Sequence, residues 1–467
     1  MKKLKKILII SILTLLTIFV VGVGVTAVII KLERTDEQEI KITTEKKIGD
    51  IITVKVWTKE SDKNSVWFDF NNNKQKDDKE DISLYPYNKN LHYSYAEVKF
   101  PLESQEFTLF GRITELDCTS QKIIQLSFLN GYFDYLKKLN CSYNLLTTLD
   151  VTEQPLLKRL KCNNNKLGTL DISNNKKLQY LYCNKNELTA LTLDTSNNQN
   201  LEQLDCTENE LTALDVSNNQ NLQELNCGMN KLTVLDVSQN KELYKLRCLY
   251  NNITQLNVSK NIKLRELSCR GNLLETINIL YNINLRDLSC GQNKLKSIDV
   301  SRNKYLSAFG CGQNSLLTQL DVSENKNLRK LYCENTQLTK LDLFHNEDLT
   351  DLYCENTPLN ELDIFNNKKL SGFRCDDRLA LNSKLSYFTS EEEEYLITAE
   401  SALIVRERPT TKSQRLGKLE FNKTIQAKKT NIPFYVDEEY EEIRDYWYEV
   451  MYEGKIAYVF GGFIEQY

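Results

Sequence analysis

The chain has 467 residues, a hydrophobic fraction of 41% and a formal net charge of −4, which is apolar enough to bury a core and excludes a disordered chain. Its Lys and Arg are interspersed with Asp and Glu rather than gathered in a stripe, so the electrostatic signature of a nucleic-acid binder is absent. Only two histidines, His92 and His345, occur in the chain, which argues against histidine-based metal or acid–base chemistry.

At the N-terminus MKKLKK is followed by an uncharged, apolar run from Ile7 to Ile30. This run is longer than the apolar core of a cleaved signal and long enough to cross a hydrocarbon layer of ~30 Å. The lysines ahead of it predict a cytoplasmic N-terminus with the rest outside. Residues 1–30 are therefore expected to act as an uncleaved anchor or as a signal peptide cut at Val25-Thr26-Ala27. The first outcome leaves the remainder anchored in the cell envelope and the second secretes it after cleavage near Ala27; both export it, with membrane contact through this segment alone.

Residues 31–112 contain IKITTEKKIGDIITVKVW and SYAEVKFPLESQEFTLFG. Their period-2 alternation predicts a β-rich module or N-terminal cap. Within it lies DFNNNKQKDDKE, residues 69–80. Asp69, Asn71, Asn73, Asp77 and Glu80 occupy the first, third, fifth, ninth and twelfth positions of an EF-hand-type loop, with the Gln75 carbonyl at the seventh. Lys74 stands where glycine normally allows the sharp turn, and its charge opposes a cation. A calcium loop and a metal-free polar hairpin are both open, and no other cofactor is expected.

A repeat then occupies residues 113–378. Its thirteen cysteines, from Cys118 to Cys375, are separated by nine gaps of 21 residues, two of 23 and one of 22. The phrase LQELNCGMNKLTVLDVSQNKE, residues 222–242, is typical. Leu225 and Cys227 alternate with Glu224 and Asn226, as in a strand with one face buried. No coil can enclose its own apolar side chains, so stacking has to close the core. The two longer gaps are even insertions and preserve which face each side chain occupies; the odd one has to be absorbed in a turn.

The pattern L-x-x-L-x-C-x-x-N-x-L followed by L-D-V-x-x-N resembles the short repeats of bacterial leucine-rich-repeat surface proteins, with Cys at a position that commonly holds Leu. The resemblance implies a curved solenoid with a parallel concave sheet that binds partners. The cysteines are expected to form a buried, reduced column: their equivalent spacing and parallel Cβ directions suit bridging badly. They also lack the C-x-x-C clusters of a metal site. Asparagines three residues after the cysteines, such as Asn144 and Asn230, should satisfy backbone groups inside each turn, and Thr336 and Thr357 replace them in two late coils. A second column, including Asp215, Asp236 and Asp299, is expected to make local turn hydrogen bonds.

Side chains flanking the inward Leu should face the concave surface. The candidate binding residues there are the aromatic Tyr180, Tyr182, Tyr332 and Tyr353 and the basic Arg159, Lys161, Lys245 and Arg247, residue types that anchor interfaces. Tyr is also favoured in strands for propensity alone.

Residues 379–398 read as an end cap and acidic linker. Residues 399–467 resemble a bacterial SH3-type domain through Leu403-Ile404-Val405-Arg406, Pro409, Leu416-Gly417-Lys418-Leu419, Trp447-Tyr448-Glu449-Val450 and Gly454-Lys455-Ile456-Ala457-Tyr458-Val459. Short strands between Pro and Gly turns agree with a small β-barrel. The resemblance implies a cell-wall ligand such as peptidoglycan, with Tyr448, Tyr452, Tyr458 and Phe460 as groove residues or core. Arg408 and the acidic insertion NIPFYVDEEYEEIRDYW depart from the pattern.

The expected molecule is mainly β: cap, leucine-rich-repeat solenoid and SH3-like barrel. Its expected function is to bind a macromolecular partner, a protein or a cell-wall ligand. The alternative is an envelope scaffold attached to peptidoglycan. An enzyme is not expected, because no nucleophile–base pairing, P-loop or metal cluster is visible.

Overall fold

The computed structural model describes residues 38–77, 80, 85–86, 93–129, 135–192, 198–364, 366–376, 380–381, 393–397, 403–406, 415–419, 424–435, 443–453, 455–460 and 464–466. The apolar run of residues 7–30 lies outside them. Among the described residues no helix is long and apolar enough to cross a membrane.

Both alternating N-terminal stretches become strands. β1 (Glu39–Thr44) turns Ile40 and Ile42 inward, and β2 (Ile51–Lys59) turns Ile52, Val54 and Val56 inward. They are followed by β3 (Trp67–Asp69), β4 (Tyr85–Pro86), β5 (Tyr93–Pro101), β6 (Glu106–Phe110), β7 (Ile113–Asp117), β8 (Ile123–Leu129) and β9 (Lys138–Asn140). One sheet has the order β3-β6-β1-β8, while β4, β5 and β2 extend the sheet of the solenoid. Phe100 packs edge-on against Phe68 and Phe107, with centroids 6.1 and 5.3 Å apart.

The junction is β7, antiparallel to β2 on one side and parallel to β9 on the other. The first coil therefore has its open edge paired by the cap, which protects a row of backbone groups that would otherwise recruit another chain.

Beyond β9 each coil contributes one short parallel strand to this sheet. The pairing aligns Leu160 with Leu181, Leu225 with Leu246, and Leu331 with Leu352, giving a sheet of 16 strands in all. Register survives both kinds of insertion. Leu181 still faces Leu204 across a gap of 23 residues between cysteines. Across the odd gap Phe309 still faces Leu331, because Leu317 takes the buried place while Leu316 is pushed out, 48% exposed. One continuous apolar core runs from Ile40 to Phe373.

At the C-terminal end seven strands form a separate antiparallel sheet around Ala427, Tyr448, Val450, Ala457 and Val459. Its strand Glu393–Ile397 pairs with Thr424–Tyr435 and Ile464–Gln466. The glutamates read from sequence as linker thus include strand residues, Glu393 and Glu394. Strand Thr424–Tyr435 lies against Gly372–Arg374, the last concave strand of the solenoid.

Candidate functional site

The interior holds the outer face in place. The twelve cysteines from Cys118 to Cys354 are unbridged and almost wholly buried, while Cys375 is half-buried. Burial pushes their thiols up, Cys141 and Cys248 to about 12. They behave as compact apolar side chains, and some also donate weakly, as Cys141 does to the Lys161 carbonyl at 3.5 Å.

Each ladder asparagine ties its coil to the one before. Asn230 donates to the Cys206 and Cys227 carbonyls at 3.0 and 3.2 Å, and its Oδ1 accepts the Leu211 N–H at 2.9 Å. The aspartate column closes local turns: Asp215 and Asp236 accept the N–H of Ser217 and Ser238 at 2.9 and 2.8 Å.

On this frame the concave residues alternate half-exposed and buried along each strand. Four of the predicted residues come together. The Arg159 guanidinium lies 4.5 Å from the Tyr180 ring centroid, and the Lys161 ammonium 5.4 Å from that of Tyr182. The two hydroxyls donate to Glu202 at 3.1 Å and Gln203 at 2.7 Å. The bond to Glu202 raises the Tyr180 phenol, and burial raises that of Tyr182.

Lys245 and Arg247 form a second group, both directed at Glu266, and Lys245 also faces Glu224 at 3.7 Å. Tyr332 and Tyr353 form a third, with ring centroids 4.9 Å apart and Arg374 4.7 Å from the Tyr353 centroid. Seven strand steps separate the Tyr180–Tyr182 strand from that of Tyr332, roughly 34 Å at ~4.8 Å per step. The eight residues are three clusters on one face, not one pocket.

Between the second and third clusters lies a trough of about 630 Å³ with Ser268, Ser289, Ala308, Gly310, Gly291 and Gly312 along it. The sequence reading missed it, although DLSCG and AFGCG spell it out: wherever the repeat allows a side chain, these coils have almost none. The Glu334 carboxyl group lies over Gly312, in space that a Cβ at 312 would share, so a side chain there would make that carboxyl group move aside. Burial raises that carboxyl, and it raises Asp287 on the opposite rim, with Glu266 adding to the effect.

The loop at residues 69–80 brings Asp69, Asn71, Asn73, Asp77 and Glu80 together, but through hydrogen bonds to the chain itself. Buried Asp69 accepts the N–H of Asn73 and Lys74 at 3.0 and 2.9 Å, and buried Glu80 accepts those of Phe70 and Asp77, both at 2.9 Å. Asn71 and Asn73 both donate to Asp77. Lys74 adopts the left-handed backbone that glycine usually supplies, with φ 61°. Among the described residues no group of three or more His, Cys, Asp or Glu is placed to hold a metal ion.

Of the four residues read as barrel groove or core, three are placed against apolar cores. Tyr448 is 7% exposed in the barrel core, Tyr452 packs beside it, and Tyr458 packs against the solenoid core. Phe460 lies on the strand beside them, opposite Trp447.

The family model described as Bacterial SH3 domain matches residues 401–465. The functional domain of InlJ from Listeria monocytogenes, described as including a cysteine ladder, is 32% identical over 57% of this chain and 69% of its own, with a TM-score of 0.52. The internalin InlF from the same species is 22% identical over 58% of this chain and 84% of its own, also at 0.52, and shows the fold alone. No curated protein matches the chain.

Proposed function

Because the chain belongs with InlJ to the bacterial leucine-rich-repeat proteins that carry a cysteine ladder, we propose that it is an exported envelope protein whose concave face binds a protein partner. One observation carries the reading. Along the parallel sheet the inward side chains hardly vary, whereas the half-exposed neighbours change from coil to coil and gather tyrosines with cations at Arg159–Tyr182 and Tyr332–Arg374. Packing constrains only the first set, and Tyr and Arg are the residue types that dominate interface energetics. Export rests on the apolar run Ile7–Ile30 behind four lysines.

The test is capture of a partner by the full chain from envelope or host extracts. Capture should persist without residues 399–467. It should fall at least about tenfold in Tyr180→Ala/Tyr182→Ala or in Tyr332→Ala/Tyr353→Ala. Equal capture by both variants would remove the concave face from the reading. The second reading, a scaffold held to peptidoglycan, is favoured by the SH3 match at 401–465. It predicts that the full chain sediments with purified cell walls and that the chain lacking this domain does not.

A further inference from the structure

The solenoid rim that leads into the concave strands carries one patch where the repeat changes character. After the buried turn asparagines the rim bears polar residues such as Gln220, Lys241, Lys304 and Lys326, but two consecutive coils place Ile262 and Ile283 there. In those same coils the aspartate column is interrupted by Asn257 and Asn278, and Tyr281 stands where neighbouring coils have Lys260 and Arg302.

Ile262, Tyr281, Ile283 and Tyr305 are 56%, 57%, 50% and 59% exposed. They lie on three adjacent coils: Asn284 donates to the Ile262 carbonyl at 3.1 Å, Asn282 to that of Asn261 at 2.9 Å and Asn303 to that of Asn282 at 2.8 Å, which locks the coils side by side. None of the four is needed for the core, whose places here are filled by Ile279 and Leu285, both fully buried. A group of large apolar side chains on adjacent coils of a mostly polar rim marks a surface that is covered in use.

The border of the patch is cationic. Lys263 and Lys304 are paired with Glu242 and Glu324. Lys260, Arg265, Arg286 and Arg302 are exposed and form no ion pair among the described residues. A second copy docking the same patch would bring these cations face to face, which disfavours self-association. Charge complementarity selects an acidic occupant.

We propose that this rim is a second docking surface, separate from the concave face, for a protein partner whose contact region is acidic and presents aliphatic or aromatic anchors. The isoleucines and tyrosines form the apolar centre of the contact, and the four cations form its charged border.

The experiment pans random peptides displayed on phage against the full chain in detergent, and the enriched peptides are then titrated against the full chain and against the full chain carrying Ile262→Ser and Ile283→Ser. An unchanged melting temperature first shows that the variant is folded; if it has changed, Tyr281→Ser/Tyr305→Ser takes its place. The expected result is a class of peptides rich in Asp and Glu around Phe, Trp, Leu or Ile. Their binding should weaken about tenfold or more in the variant and in Arg265→Gln/Arg286→Gln, and should fall with added salt. Peptides that bind the variant as well as the parent, or that carry no acidic excess and keep their affinity in salt, overturn the proposal.

Discussion

At the scale of single residues, the molecule depends on polar atoms buried in every coil. Asn230 is 8% exposed, donates to the Cys206, Cys227 and Gly228 carbonyls and accepts the Leu211 N–H. Asn230→Ala strands these groups without access to water, and each such group costs about 1–3 kcal/mol. A loss of about 3 kcal/mol is expected in urea unfolding, against under about 1 kcal/mol for an exposed position such as Lys231→Ala. The thiols add a pH dependence. Each of the twelve buried ones keeps its proton in the folded chain to a higher pH than in the unfolded one. For Cys141 and Cys248 this contribution is therefore whole below the ordinary thiol value of 9.0 and is lost as pH rises toward about 12. Each thiol steepens the decline by about 1.4 kcal/mol per pH unit. Urea midpoints measured from pH 8 upward should fall steeply through this window, and Cys141→Ala/Cys248→Ala should make the fall shallower by about two protons.

At the scale of the element, the two threonine substitutions look alike in sequence and differ in space. In the coil with the odd gap, Leu317 turns its N–H onto the Asn314 carbonyl at 3.0 Å. The Leu317 N–H is therefore not offered to an amide oxygen at position 336, where Thr336 donates to the Cys333 carbonyl at 2.8 Å. Thr357 makes the same bond to Cys354 at 2.7 Å, but the Leu338 N–H that an asparagine at 357 would engage has no acceptor among the described residues. Thr357→Asn should therefore add about 1 kcal/mol in urea unfolding, and Thr336→Asn should add nothing or destabilise. The loop at 69–80 is closed by four N–H bonds to Asp69 and Glu80, so Asp69→Ala should cost about 2 kcal/mol with or without calcium. A calcium-dependent rise in melting temperature that Glu80→Gln abolishes would place the ion there, and an unchanged melting temperature would remove it.

At the scale of the whole molecule, both ends of the solenoid are covered. The N-terminal module pairs β2 with β7, and the barrel lays strand Thr424–Tyr435 against Gly372–Arg374 and Tyr458 against the core. Deleting residues 399–467 should lower the urea midpoint and make Cys354 react with a thiol reagent alongside the half-buried Cys375, while Cys227 stays protected until global unfolding. Much of this was legible from the chain alone. Strict spacing fixed the number of coils, the inward Leu, Cys and Asn and the outward concave residues, because a period-2 strand repeated in register leaves each side chain one choice of face. What only the tertiary structure decided was set by neighbours many residues apart. Tyr448 and Tyr458 could have lined a groove or filled a core, and packing put them in two different cores. The trough at Gly310 and the rim at Ile262 and Ile283 arise from stacking small or apolar residues of successive coils, one at a time unremarkable, into continuous surfaces. Periodicity determines which way a residue points; only the stacked coils determine what stands beside it.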